Sequence, residues 1–336
     1  MKKLMVLVAM GCLTVSMSWG RSFCIDLRQP AAKTGIRVAT KLMAVSSEVN
    51  ASEFLRKENL NAGSADVGVV EVGDELAFTL FDNVVITLTL KKQMPSPLGG
   101  DVFLAEASGY EGVKNAVVIR TEDGLTVDVQ DYLNKKVYKV ISTATGVAVQ
   151  EMESKGGRCG CDAREPSIRT GTESDKPQKA KNVVASKNVE PDETCVDILV
   201  AYDKNAAAWA NANGGGVTNF AQMAVQKMNT VLSNNGLDWY FRFRLVGVMS
   251  VAASSDDLDF TLDSATDGIG DWASIKTMRN EVGADIVTVL IDTGSEDGTT
   301  GLGWSLDTEN FGSFSEYAYN CCAIRSVAQS HTLTIS

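Results

Sequence analysis

From about Ile36 to Met152, apolar and polar residues alternate with a period of two, the spacing that lines one face of a β-strand. In "LAFTLFDNVVITLTL", Leu76, Phe78 and Leu80 share one face. Val84, Ile86, Leu88 and Leu90 share a face of a second strand beyond Asp82-Asn83. "VVIRTEDGLTVDV" predicts a hairpin turning at Asp123-Gly124, where glycine enters the positive-φ region that a tight loop needs. "KKVYKVISTATGVAVQEM" repeats the theme and turns near Gly146. No long 3.6-residue period intrudes, so the expectation is an all-β unit, a sandwich or a curved sheet.

From Glu153 to Thr194 the pattern is lost. This segment is polar, has no aromatic residue, and holds Pro166, Pro177 and Pro191, three of the chain's six prolines. So little apolar surface cannot offset chain entropy, which predicts an exposed linker open to proteases.

After Cys195 the period changes. "CVDILVAY" reads as a buried strand. "VTNFAQMAVQKMNTVLSNNG" reads as a helix with Phe220, Ala224, Met228, Val231 and Leu232 on its apolar face, closed by Gly236. "WYFRFRLVGVMSV" is a strand, "WASIKTMRNEVG" a helix ending at Gly283, and "ADIVTVLID" another buried strand. That alternation predicts α/β structure on a largely parallel sheet. The whole is an α+β multidomain chain: a β-rich domain over 21–152, a linker over 153–194 and an α/β domain over 195–336.

The first twenty residues, "MKKLMVLVAMGCLTVSMSWG", combine two lysines, a short apolar run and small residues. That layout predicts a signal peptide cut after Gly20 and a secreted or periplasmic product. A lipid anchor at Cys12 is the less favoured alternative, because Ala9 stands where a leucine is expected. No segment has the roughly 20 apolar residues of a membrane span. The net charge of −11 argues against nucleic acid and anionic membranes as partners. Of the seven cysteines, all but Cys12 lie beyond the leader: Cys24, Cys159, Cys161, Cys195, Cys321 and Cys322. An even set in an exported chain predicts disulfides, with the pairing left open. Cys321 and Cys322 are expected to seek distant partners rather than each other.

Several short patterns are weak as chemistry. Asp292-Thr293-Gly294-Ser295 matches the aspartic-protease pattern, yet that chemistry needs a second aspartate of the same kind and the chain has no second copy. An ordinary turn after a strand is the favoured reading. "NANGGGVT", from Asn211 to Thr218, lacks the Gly-Lys-Ser/Thr ending of a phosphate loop and reads as a flexible connection. His331 is the chain's one histidine. Neither a nucleophilic triad nor a zinc site with Cys321 and Cys322 is favoured over a solvated side chain.

From Cys195 onward the chain resembles the secreted zinc metallopeptidases called metzincins, in the reprolysin-like (adamalysin-type) group. The likeness rests on "CVDILVAYDKNAAAWA" as opening strand and on Met228-Asn229 in the first long helix. It rests further on Arg279 before Gly283-Ala284-Asp285, and on "GTTGLGWS" and "EYAYNCCAIRSVAQSHTLT" in that order. The resemblance implies that Gly301, Leu302, Gly303 and Trp304 form the edge strand that pairs with a peptide or protein substrate. It implies that the zinc signature His-Glu-x-x-His-x-x-Gly-x-x-His belongs just beyond Ser336, so that no catalytic residue is present. The α/β domain then lacks its active-site helix, and the chain is expected to bind no catalytic zinc and to be an inactive monomer. By the same resemblance the β-rich domain is a propeptide, and Cys159 or Cys161 is a candidate removable zinc ligand, with disulfide bonding as the alternative. A non-catalytic secreted binding or inhibitory protein is the other reading of the whole chain.

Overall fold

The computed structural model describes residues 21–25, 27, 54–60, 68–81, 84–108, 113–122, 124–143, 146–154, 158–159, 181–185, 194–293, 299–304 and 314–329. Its first sheet is built from Ser22–Ile25 (β1), Phe54–Leu60 (β2), Glu75–Phe81 (β3), Val84–Met94 (β4), Asp101–Ser108 (β5), Val113–Thr121 (β6), Gly124–Asp131 (β7), Lys136–Thr143 (β8) and Gly146–Glu153 (β9). The spatial order is β1-β3-β4-β5-β6-β7-β8-β9-β2. Every pair is antiparallel except β1, which runs parallel to β3. The sheet curls, and one face encloses a core of its own. Leu76, Phe78, Leu80, Ile86, Leu88, Leu90, Val118, Val127, Tyr138 and Val149 all point into it. Each large apolar side chain buried this way contributes roughly 1.5–3 kcal/mol. The expected hairpin closes with Thr121 opposite Gly124, and Gly124 has φ +114; Asp123 lies outside the described residues.

The second sheet adds Arg158–Cys159 (β10), Lys181–Ala185 (β11), Cys195–Tyr202 (β12), Arg242–Ser250 (β13), Ile286–Ile291 (β14), Thr299–Gly303 (β15) and Tyr319–Ala323 (β16), in the order β10-β15-β16-β14-β12-β13-β11. The four strands β13, β12, β14 and β16 are mutually parallel. Their runs of β-branched and leucine residues suit a sheet buried on both faces. Among the described residues five α-helices accompany them: Lys204–Asn213 (α1), Val217–Asn234 (α2), Leu258–Asp267 (α3), Ser274–Val282 (α4) and Ile324–Gln329 (α5). Residues of α1, α2 and α5 share a cluster with one face, through Ile198, Val200, Leu245 and Leu290. Those of α3 and α4 meet the other face through Leu199, Ala201, Val246 and Val289. Asp203 caps α1 by accepting from the Ala206 backbone N–H at 2.7 Å, and Asp257 caps α3 through Phe260 N–H at 3.1 Å.

Helix α2 is covered on two sides. Its predicted face, with Phe220, Ala224 and Met228, packs on the second sheet, although Val231 is only half-buried. Met223 packs on Met94, Val102, Val117 and Ile119 of the first sheet. Gln222 donates to Ser96 Oγ at 2.9 Å and to Gly99 O at 3.1 Å. Lys57 of β2 reaches Asn213 Oδ1 at 2.7 Å.

Two expectations are corrected here. The span 153–194 is not linker throughout: β10 pairs parallel with β15, and β11 pairs antiparallel with β13. A sheet edge offers unpaired N–H and C=O groups, and the segment "NVVA" supplies β-branched residues to use them. The "NGGG" stretch is a crowded joint and not a loose loop. Gly215 has φ +73, and a Cβ there would stand 3.1 Å from Ile141 Cγ2 of β8. No helix among the described residues is long and apolar enough to cross a membrane.

Candidate functional site

Strand β15 is where the resemblance puts a substrate. On one side it pairs antiparallel with β16, Gly301 opposite Cys322, Leu302 opposite Cys321 and Gly303 opposite Asn320. Glycine at 301 lets the two strands close, since a Cβ there would lie 3.1 Å from Cys321 O and 3.3 Å from Cys322 Sγ. Leu302 is buried in the core beneath. Trp304 donates its Nε1–H to Thr266 Oγ1 at 2.8 Å and meets Tyr317 edge-on at 5.6 Å, which anchors the end of the strand to α3.

The other side of β15 is not open. Arg158 lies opposite Thr299 and Cys159 opposite Gly301, in parallel register. The backbone following the first sheet therefore occupies the row of hydrogen-bonding groups that an extended peptide would use. Of the two candidate switch cysteines, Cys159 is thus brought to β15, whereas Cys161 lies outside the described residues.

The disulfides expected for Cys195, Cys321 and Cys322 are not formed: all three are buried thiols. Adjacent residues of a strand face opposite ways, and Cys321 points into the cluster with Leu258 while Cys322 points into that with Ile324 and Val327. Cys321 Sγ donates to Leu258 O at 3.2 Å, and Cys195 Sγ accepts from Arg242 Nε at 3.1 Å. Burial pushes the Cys322 thiol up to about 12, so it stays protonated at neutral pH and is a poor metal ligand. The side chain of Cys24 is outside the described set.

Asp292 is gripped by Arg325, with Nε 2.5 Å from Oδ1 and Nη2 2.9 Å from Oδ2. A carboxylate held in this fork is a structural group at the end of β14; Gly294 and Ser295 lie outside the described residues. Arg279 donates to Ala284 O at 3.1 Å, to Asp285 O at 2.8 Å and to Ser315 O. It ties the end of α4 to the strand that follows. Asn229 exchanges two hydrogen bonds with the Phe243 backbone, at 2.9 and 2.8 Å, fixing α2 against β13.

Among the described residues no group of three or more His, Cys, Asp or Glu side chains is placed to hold a metal ion. His331 lies outside them. With one histidine in 336 residues, the side chains present do not fit a three-histidine zinc site.

One cluster went unseen in the sequence. Asp128 on β7, Lys139 on β8 and Lys227 on α2 meet between the two sheets, all buried. Asp128 Oδ2 lies 2.9 Å from Lys227 Nζ and 3.3 Å from Lys139 Nζ, while Oδ1 has no hydrogen bond among the described residues. Burial opposes the Asp128 charge, but Lys227 and then Lys139 hold its carboxyl below the ordinary range. Burial outweighs Asp128 at Lys139 and lowers that ammonium to about 8. The only sequence signals were charged residues in two strands and a helix, which exposed faces explain as well.

No family model matches the chain, and no curated protein does. A solved structure titled "Structure of a chaperone-substrate complex" is similar at 12% identity and a TM-score of 0.30, over 76% of this chain and 33% of that one. The chain thus spans about a third of that structure's length, and so low a score carries no argument about fold or function.

Proposed function

We propose that this chain carries the propeptide and part of the catalytic scaffold of a secreted, metzincin-like zinc metallopeptidase precursor. In this reading the chain has two domains, and the segment after β9 keeps the substrate strand covered. The observation that carries the reading is Cys159 lying opposite Gly301 along β15, the strand that the resemblance assigns to peptide backbone. The order of the parallel strands, with β15 the antiparallel neighbour of β16, supports it further. An intact relative would hydrolyse peptide bonds with a zinc-activated water; the three histidines and glutamate for that are not among these residues.

Two measurements test the proposal. The purified 336-residue chain, supplied with zinc, should cleave no peptide; chelator-sensitive proteolysis by it would contradict the reading. The coding sequence past Ser336 should encode His-Glu-x-x-His-x-x-Gly-x-x-His, and its absence from every frame would shift the balance to the second reading.

That second reading is a non-catalytic, exported binding or inhibitory protein. It is favoured by the burial of α2 between both sheets, which suits a permanent union more than a detachable propeptide. Nicking the 160–180 segment distinguishes the two: separation of the fragments on gel filtration supports the precursor, and co-elution supports the binding protein.

A further inference from the structure

Asp74 is 2% exposed, yet its carboxylate collects four donors. The Arg21 backbone nitrogen lies 2.8 Å from Oδ1 and Arg21 Nε 3.2 Å from the same oxygen. Arg21 Nη2 lies 2.6 Å from Oδ2, and the Glu71 backbone N–H donates to Oδ2 at 2.9 Å. The Glu75 backbone N–H returns to Arg21 O at 2.7 Å. Arg21 itself is exposed at the surface, and β1 begins one residue later, running parallel to β3 with Ile25 and Leu27 in the core. A buried carboxylate at the head of an edge strand is thus aimed at one particular backbone nitrogen.

That nitrogen belongs to the residue after Gly20, where the leader is expected to be cut. We propose that Asp74 is the receptor for the α-amino group created when the leader is removed, and that this new terminus locks β1 onto β3. Water divides the Gly20–Arg21 amide: the leader leaves with a carboxylate on Gly20, and the Arg21 nitrogen takes up hydrogen to become an ammonium. The neutral donor at 2.8 Å is replaced by a charged one, and charge-assisted hydrogen bonds are roughly twice as strong as neutral ones. The charged groups around the site are the Arg21 guanidinium, Asp74, Glu71 and Glu75, so the added positive charge meets a mainly acidic surface. Leader removal thereby becomes a stabilising step for the first sheet.

The inference rests on the exported-precursor reading, and its test separates the two. N-terminal sequencing of the exported protein should return Arg21; a start at another nearby residue overturns this inference and leaves the exported-precursor reading standing, whereas an uncut leader overturns both. Given that start, the chain beginning at a free Arg21 should melt about 2 °C above the same chain retaining Gly20. The difference should fade as pH rises past the ordinary α-amino range near 8. Asp74→Asn should erase it, whereas Arg21→Ala should lower both forms and keep it, because the α-amino group reaches Asp74 Oδ1 independently of the two bonds that the side chain makes. Equal melting of the two starts, or a difference that survives Asp74→Asn, overturns the inference. Should Asp74→Asn not fold, the pH dependence and the Arg21→Ala pair decide.

Discussion

Gly301 stands against Cys322 so closely that a Cβ on the glycine would lie 3.3 Å from the sulfur and 3.1 Å from Cys321 O. Strand β15 keeps its place against β16 because this position has no side chain. Gly301→Val should therefore cost about 1–3 kcal/mol by overpacking, with Gly301→Ala milder. Urea unfolding of both variants checks this, and a valine variant as stable as the parent would show that β15 yields freely.

Gly215 and Gly236 form a matched pair for the joint. Both have positive φ, +73 and +66, but only Gly215 faces a neighbour at 3.1 Å, while Gly236 faces open space. Gly236→Ala should cost about 1 kcal/mol for the left-handed backbone alone. Gly215→Ala should cost clearly more, since Ile141 must also move. Equal melting temperatures for the two variants would contradict the close contact of β8 with the α1–α2 turn.

The thiols of Cys195, Cys321 and Cys322 should resist an aromatic disulfide reagent in the native protein and react once denatured. Each is buried, and only the thiolate attacks. Peptide mapping by mass spectrometry reads each site separately. Native labelling at any of the three would place that sulfur nearer the surface than described.

Stability should rise with pH in the alkaline range because of Lys139. Its ammonium lies at about 8 in the folded chain against 10.5 ordinarily, so between those values the unfolded chain holds more protons. Unfolding then becomes less favourable with rising pH, by up to tenfold per unit and ~3 kcal/mol in all at most. Below pH 8 the penalty of burying the charge is present in full. Lys139→Met should flatten the rise while leaving the Asp128–Lys227 pair in place. Denaturation curves of the parent and the variant from pH 7 to 10 check the sign; a parallel rise in both would assign it to other groups.

Much of the first sheet was legible because its inward residues, from Leu76 to Leu90, obey a strict period of two, and Gly124 and Gly146 mark its turns. Gly236 and Gly283 likewise mark the ends of α2 and α4. Helices α1 and α3 were missed: "KNAAAWANAN" and "LDFTLDSATD" have no continuous apolar stripe, and their signals are the caps Asp203 and Asp257.

The strands β10 and β11 escaped because an edge strand takes its order from a partner far along the chain, here β15 and β13. Asp128, Lys139 and Lys227 escaped for a related reason. Local periodicity says which face of an element a residue occupies, and a second layer such as α2 decides whether that face meets water. Of the candidate site, the resemblance put Gly301 to Trp304 on a strand that the structure ends at Gly303, while the backbone lying beside it required the three-dimensional structure.

The placement of β10 and β11 at the two flanks of the second sheet gives the molecule a colloidal property as well. Both borders of that sheet are short strands of the chain itself, two residues in β10 and five in β11, and such short edges recruit a foreign strand poorly. Were Arg158 and Cys159 to be peeled away, the newly bared ladder beside Thr299 and Gly301 would be as ready to zip onto a neighbouring molecule as to receive a peptide. Unmasking this border therefore couples access to self-association, and crowding becomes a hazard from that moment on.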